Sequence, residues 1–174
     1  MSEEIQNMDR LMAKLNNLEK QSNVALKQGV WKAAERVRAE AVLLCPVNHG
    51  ELRQSIKSSV RTLDGRIIGT IYTNKEYAKY VEFGTGPVGL ANHDGISPEV
   101  NPSYVTSGWY IPASEFTQAD IEKYHFKVIQ IGEKEFVYTE GQPAQPFMYP
   151  ALKNNEKLAE NIIINNIRKG IERL

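Results

Sequence analysis

Ile56-Lys57-Ser58-Ser59-Val60-Arg61-Thr62-Leu63-Asp64-Gly65-Arg66-Ile67-Ile68-Gly69-Thr70-Ile71-Tyr72-Thr73-Asn74 is the stretch whose reading decides the fold. Ile56, Ser58, Val60 and Thr62 fall on one side of an extended chain, and Ile67, Gly69, Ile71 and Thr73 on one side of the return. Side chains two apart share a face of a strand, so this spacing predicts two half-buried strands. Asp64-Gly65 between them suits a two-residue turn, whose central positions both favour positive φ. An antiparallel hairpin follows.

On its N-terminal side the period changes. Ile5, Met8, Leu11, Met12, Leu15 and Leu18 form one helical stripe, and Val30, Ala34, Val37, Ala41 and Leu44 form a second. The spacing predicts a long helix with a bend near Gly29. Pro46 disfavours helix at Cys45, so the helix should stop there and pass into a turn at Asn48-His49-Gly50. On the C-terminal side, Tyr77, Tyr80 and Val81 predict a short helix over 76–83, stopped by Gly84. Residues 85–114 are rich in Gly, Pro, Asn and Ser and read as a long irregular loop. Residues 125–131 and 135–139 read as a strand pair turning at Gly132. The prolines of Gln142-Pro143-Ala144-Gln145-Pro146 set an extended connector. Phe147, Ala151, Leu152, Leu158, Ile162, Ile163, Ile167 and Ile171 then continue at helical spacing. The class is α+β: a long N-terminal and a C-terminal helix on a small antiparallel sheet, with an irregular insertion at about 87–135. We expect a single domain over 1–174.

Composition is that of an ordinary globular chain, 41% hydrophobic and 24% charged, which argues against long disordered tracts. No run approaches the roughly 18 apolar residues of a membrane span, and Met1-Ser2-Glu3-Glu4 lacks the basic start of a signal peptide, so cytoplasmic synthesis and no membrane partner are expected. Cys45 stands alone, which excludes an internal disulfide. The 21 basic and 21 acidic residues cancel overall, yet residues 85–141 carry three basic and eight acidic side chains, and residues 46–84 six and four. An acidic surface repels phosphate and suits a protein partner better.

Chemistry-bearing patterns are sparse. His49, His93 and His125 sit in different segments and form no pair that would place two ligands on one helical face. Pro46 breaks the helix that would align Cys45 with His49 as a dyad. No glycine run continues into the Lys-Ser/Thr of a phosphate-binding loop. Catalytic residues, metal ligands and cofactors are therefore not expected. Arg53, Lys57, Arg61 and Arg66 cluster on and around the hairpin and are candidates for a basic face that meets a phosphate backbone without reading sequence. Their bland alternative is a solvated strand face. Glu82, Trp109, Tyr110 and Phe116 are candidates for contacts in a protein interface.

Three segments, taken together, resemble one family. Pro46-Val47-Asn48-His49-Gly50-Glu51-Leu52-Arg53-Gln54-Ser55-Ile56 is similar to its Pro-Val-x-Thr-Gly-x-Leu-Arg-x-Ser-Ile signature. Tyr77-Ala78-Lys79-Tyr80-Val81-Glu82-Phe83-Gly84-Thr85-Gly86 resembles its Tyr-Ala-x-Tyr-Val-Glu-Phe-Gly-Thr-Gly segment. Pro143-Ala144-Gln145-Pro146-Phe147-Met148-Tyr149-Pro150-Ala151-Leu152 is similar to the motif before its last helix. The family is the neck and tail-completion, or head–tail joining, proteins of long-tailed phages and prophages. His49 departs from the usual threonine, and residues 87–135 exceed the connection of short members.

The resemblance implies a structural virion protein and no enzyme. It implies a ring, six-fold by analogy, at the head–tail junction or the end of the tail tube. Head connector, tail-tube and tail-terminator proteins would be its partners, with double-stranded DNA passing through the lumen unread. Assembly would occur in the bacterial cytoplasm. A tail terminator or a subunit of a headless tail-like particle fits as well. Pro46, Gly50, Leu52, Gly84, Pro146 and Phe147 have structural roles, and Glu82 is expected within reach of Arg53 or a neighbouring subunit's base. The alternative from another class is a small nucleic-acid-binding or nuclease-like accessory protein, resting on the basic hairpin and the three histidines.

Overall fold

The computed structural model describes residues 2–172. Its first helix, α1 (Ser2–Leu44), stops where Pro46 requires, and the Cys45 amide still closes the last turn onto the Ala41 carbonyl at 2.9 Å. A short helix, α2 (Glu51–Ser55), is entered through Gly50 and precedes the hairpin β1 (Lys57–Leu63) and β2 (Arg66–Tyr72). Register pairs Ser58 with Ile71, Val60 with Gly69 and Thr62 with Ile67, and Asp64 and Gly65 both take positive φ, as the alternation predicts. There follow α3 (Ala78–Phe83), α4 (Gly86–Ala91), β3 (Trp109–Pro112), a 3-10 turn (Ala113–Glu115), α5 (Gln118–Lys123), β4 (Lys127–Ile131), β5 (Lys134–Thr139) and α6 (Met148–Ile171). The α+β class holds, with the antiparallel strands divided between two sheets.

The chain forms two compact units, Met1–Asn74 with Pro150–Leu174, and Lys75–Tyr149. In the first, α1 crosses one face of the hairpin. Gly69 makes room for it, since a Cβ there would sit 3.1 Å from Val30 and 3.2 Å from Ala34. α6 runs antiparallel along α1, held by Arg36 Nε donating to Asn155 Oδ1 at 3.0 Å and Lys32 Nζ to Asn166 Oδ1 at 2.7 Å. The buried residues at these seams are mostly small: Ala25, Ala33, Ala34, Ala41, Cys45 and Ala151. Small side chains let helix backbones approach, and Gly29 is the extreme case, because a Cβ there would lie 3.0 Å from the Ile163 Cα. α1 passes Gly29 unbroken, and the glycine serves this close approach. Of the first apolar stripe, the Ile5 side chain lies outside the described residues, while Met8, Leu11, Met12 and Leu15 are exposed.

The second unit carries a three-stranded antiparallel sheet in the order β3-β5-β4, with Val137 of β5 fully buried. Residues 85–114 are not irregular throughout. Pro87 opens α4, a position at which its missing N–H costs nothing, so a Gly-Pro pair that reads as a turn also starts a helix. β3 exists because Trp109–Pro112 pairs with Phe136–Thr139, a partner too distant in sequence for local pattern to reveal. Residues 92–108 have neither helix nor strand. α5 begins with a capping box, the Thr117 hydroxyl accepting from the Asp120 amide at 3.1 Å and the Asp120 carboxylate from the Thr117 amide at 3.3 Å.

Where α1 meets the hairpin, the Glu35 carboxylate takes a hydrogen bond from the Ser58 hydroxyl and a two-pronged contact from Arg38 at 2.9 to 3.1 Å. The Arg38 guanidinium, and then Ser58, hold the Glu35 carboxyl below its ordinary value of 4.5. A depressed folded value means the contact stabilises above the unfolded pKa and is lost as pH falls through the folded one. Glu35→Gln should therefore lower the melting temperature at pH 7 and leave it nearly unchanged well below pH 4.5, as melts followed by circular dichroism across pH would record.

Candidate functional site

The second and third sequence motifs meet in one place. Tyr77, just before α3, and Tyr80 within it face outward, and the buried side chains of α3 are Ala78 and Glu82, the latter only 6% exposed. A charged group is almost never buried without a partner. Glu82 has three: Oε2 accepts from the amides of Phe147 at 2.7 Å and Met148 at 2.9 Å, and Oε1 from Tyr149 at 3.0 Å. These are the first amides of α6, which have no carbonyl of their own helix to bond. The next residue is Pro150, which has no amide. Sequence and side chain together thus satisfy every orphan donor at this helix start, and the negative group sits at the positive end of the helix dipole.

Main-chain bonds tie the same two segments together. Thr85 and Gln142 exchange amide-to-carbonyl bonds of 2.9 and 3.2 Å, and the Gln145 amide donates to the Val81 carbonyl at 2.8 Å. Gly84 allows this approach at φ 75: a Cβ would come within 2.7 Å of the Ala144 nitrogen and 2.8 Å of the Gln142 oxygen. Phe147, immediately before α6, is fully buried. The Tyr104 hydroxyl, from the irregular stretch, donates to the Phe83 carbonyl at 2.7 Å and fastens that stretch to the same helix.

The first motif is a second fastening. Its Leu52 and Ile56 are buried, and Arg53 Nη2 donates to the Cys45 carbonyl at 2.8 Å, just past the C-terminus of α1. A cation suits that negative end of the helix. Arg53 therefore does not join the other basic residues. Lys57, Arg61 and Arg66 do share a face: Lys57 lies opposite Tyr72, Arg61 opposite Ile68 and Arg66 opposite Leu63, all on the side of the hairpin away from α1. The three are exposed, as are Leu63 and Tyr72 beside them.

The aromatic candidates separate by strand alternation. Trp109 points inward, and a Cβ on Gly86 would lie 2.7 Å from its ring. Tyr110 points outward, 52% exposed, with its ring centroid 5.3 Å from that of Tyr138. Phe116 is half-buried against Phe126, centroids 5.0 Å apart. Among the described residues no three His, Cys, Asp or Glu side chains converge as metal ligands would, and no helix is long and apolar enough to cross a membrane. Sequence reasoning placed Glu82 beside a base. Its backbone partners were missed, although a Glu on an apolar helix face and a proline-delayed helix start were both visible in the sequence.

Residues 9–84 match the family model described as "Bacteriophage HK97-gp10, putative tail-component". The matched part runs from α1 through α3 and includes the hairpin and Glu82. The match agrees with the phage neck and tail-completion resemblance read from the motifs. No curated protein and no solved structure matches the chain.

Glu82→Ala would leave three amides at the α6 start unbonded and should cost about 3 kcal/mol of stability, with Glu82→Gln intermediate because it keeps one acceptor. Urea unfolding midpoints at constant slope would measure both. Trp109→Ala should cost about 2 kcal/mol by the same assay, since the ring is packed, whereas Tyr110→Ala should cost less than about 0.5 kcal/mol.

Proposed function

We propose that this protein is a phage tail component, a ring-forming neck or tail-completion subunit closing around the head–tail junction or the end of the tail tube. The observation that carries the reading is the outer face of the hairpin, where Lys57, Arg61 and Arg66 stand together, exposed, within the stretch matching a tail component. A ring subunit needs two different complementary surfaces, because cyclic contacts are heterologous. The basic face is one. Residues 85–141, with eight acidic and three basic side chains and Tyr110 exposed among them, supply the other. Six copies by family analogy would place one of these faces on a neighbour, or the basic one on the lumen.

A lumen lined by lysine and arginine holds the DNA backbone without reading bases, which is what passage of an arbitrary genome needs. Head connector, tail-tube and tail-terminator proteins are the further partners, and assembly takes place in the bacterial cytoplasm. Glu82, Gly84 and Arg53 serve this role indirectly, Arg53 by fastening α2 ahead of the hairpin and Glu82 and Gly84 by holding together the two ends of residues 85–141. Nothing in the ring reading asks a side chain to do chemistry.

Lys57→Glu/Arg61→Glu/Arg66→Glu should fold normally, since all three side chains are solvated, yet reduce complete particles about tenfold, the equivalent of roughly 1.4 kcal/mol at the contact. Particle counts by negative-stain microscopy, with DNA retention measured in parallel, would check this. Normal yield and full DNA retention would make the face an ordinary solvated one.

A further inference from the structure

The buried side chains of α1 begin at Ala25, and every side chain from Asn7 to Gln21 is exposed. About 22 Å of helix therefore carries no packed face among the described residues. Helices in proteins draw most of their stability from packing an apolar face. This segment has the face without the packing: Met8, Leu11, Met12, Leu15 and Leu18 follow one another at helical spacing, each between 37% and 58% exposed. The charges on the stripe are selective. Glu19, four residues from Leu15 and seven from Met12, stands within it, and Asp9, three from Met12, borders it. Arg10 and Lys20 lie off the stripe, and Lys14, at its other edge, has the reach to turn its charge outward. The sequence before Met8 adds Glu3 and Glu4 and no basic residue.

The hairpin presents a surface of the complementary kind. On the side away from α1, the register sets Lys57 beside Tyr72, Arg61 beside Ile68 and Arg66 beside Leu63, so each of these layers joins one cation to one large apolar residue. Ile68 is half-buried and the other five are exposed. A face that only held DNA phosphates would use the cations and gain nothing from the apolar residues between them. An amphipathic helix with carboxylates in its apolar stripe uses both. The remaining layer, Ser59 beside Thr70, is small and lies mid-face, as Gly69 does on the inner face, where a helix crosses.

We propose that residues 7–21 of α1 dock on the outer face of the hairpin of a second copy of the chain, the apolar stripe on Leu63, Ile68 and Tyr72, with Asp9 and Glu19 meeting the cations. The same chain cannot supply this contact, because its α1 already crosses the opposite face of its hairpin and runs on unbroken as one helix. Two such stripes set against each other would press both Glu19 carboxylates onto apolar surface, where an unpaired charge is costly. Lengths agree: strands of seven residues span about 24 Å, against about 22 Å for the helical segment.

The contact joins unlike surfaces, so it is heterologous and repeats from copy to copy, as a closed ring requires. Each hairpin then lies between its own α1 and a neighbour's. The inference rests on the ring reading and deepens it, naming the α1 stripe in place of residues 85–141 as the surface that meets the basic face and leaving those residues to a tail partner.

Sedimentation velocity of the full chain from about 10 to 100 μM tests it. Wild type should associate as concentration rises. Leu11→Lys/Leu15→Lys, which disables the stripe, and Lys57→Glu/Arg61→Glu/Arg66→Glu, which disables the face, should each stay monomeric with unchanged melting. Mixed in equal amounts, the two variants should form a heterodimer and nothing larger, because the intact stripe of one fits the intact face of the other and no further contact is left. A wild type that stays monomeric at the top concentration, or a mixture no larger than its components, would overturn the proposal. So would association that survives in the face variant, which means pairing of stripe with stripe, and so would duplex DNA binding through the three cations without any heterodimer, which assigns the face to the lumen. The ring reading fails separately: heterodimers in the mixture together with a normal particle yield from the face variant would keep the helix contact and remove the ring.

Discussion

One carboxylate holds the second unit in order. Glu82 accepts the amides of Phe147, Met148 and Tyr149, and so fixes where α6 starts. Burying such a group is unfavourable unless its oxygens are bonded, which makes the arrangement all-or-none: the helix start supplies the donors and the side chain makes them satisfiable. Pro150 completes the balance by removing the one amide the carboxylate could not reach. Gly84 and the Thr85–Gln142 bridge then bring the two backbones close enough for the contact to form.

Pattern made much of this fold legible, because local signals and tertiary packing agree over long stretches. Alternation in the hairpin, the positive-φ pair Asp64-Gly65, the stop at Pro46 and the turn at Gly132 all recur in the structure at their expected places. Failures came where the deciding partner is far away. β3 owes its existence to β5, and Glu82 looked like one half of an ion pair because sequence shows side chains, whereas its partners are main-chain amides. Gly29 stands out in sequence only because glycine weakens a helix. Only the position of Ile163 reveals that it was needed for lack of volume.

The basic cluster illustrates the same division on a smaller scale. Four residues close in sequence were taken together, yet strand register unites only Lys57, Arg61 and Arg66, while Arg53 turns back to the end of α1. A charge count over a window cannot separate these roles. One positive group satisfies a helix terminus, where it contributes to folding, and three face water, where single charges contribute little to stability and are free to meet a partner.

The family match ends at residue 84, whereas the amides that complete Glu82 begin at Phe147. Between them lies the long stretch that carries α4, β3, α5, β4 and β5. Thr85 and Gln142 stand at its two ends and bond each other directly, so the chain leaves and returns at one point. Lengthening a loop whose ends are already clamped adds only a slowly growing closure entropy, about 0.6 kcal/mol per doubling. The Glu82 contact is therefore indifferent to what the intervening residues build. That separation lets residues 87–135 acquire β3, α5 and an exposed tyrosine without disturbing the helix starts on which the two motifs depend.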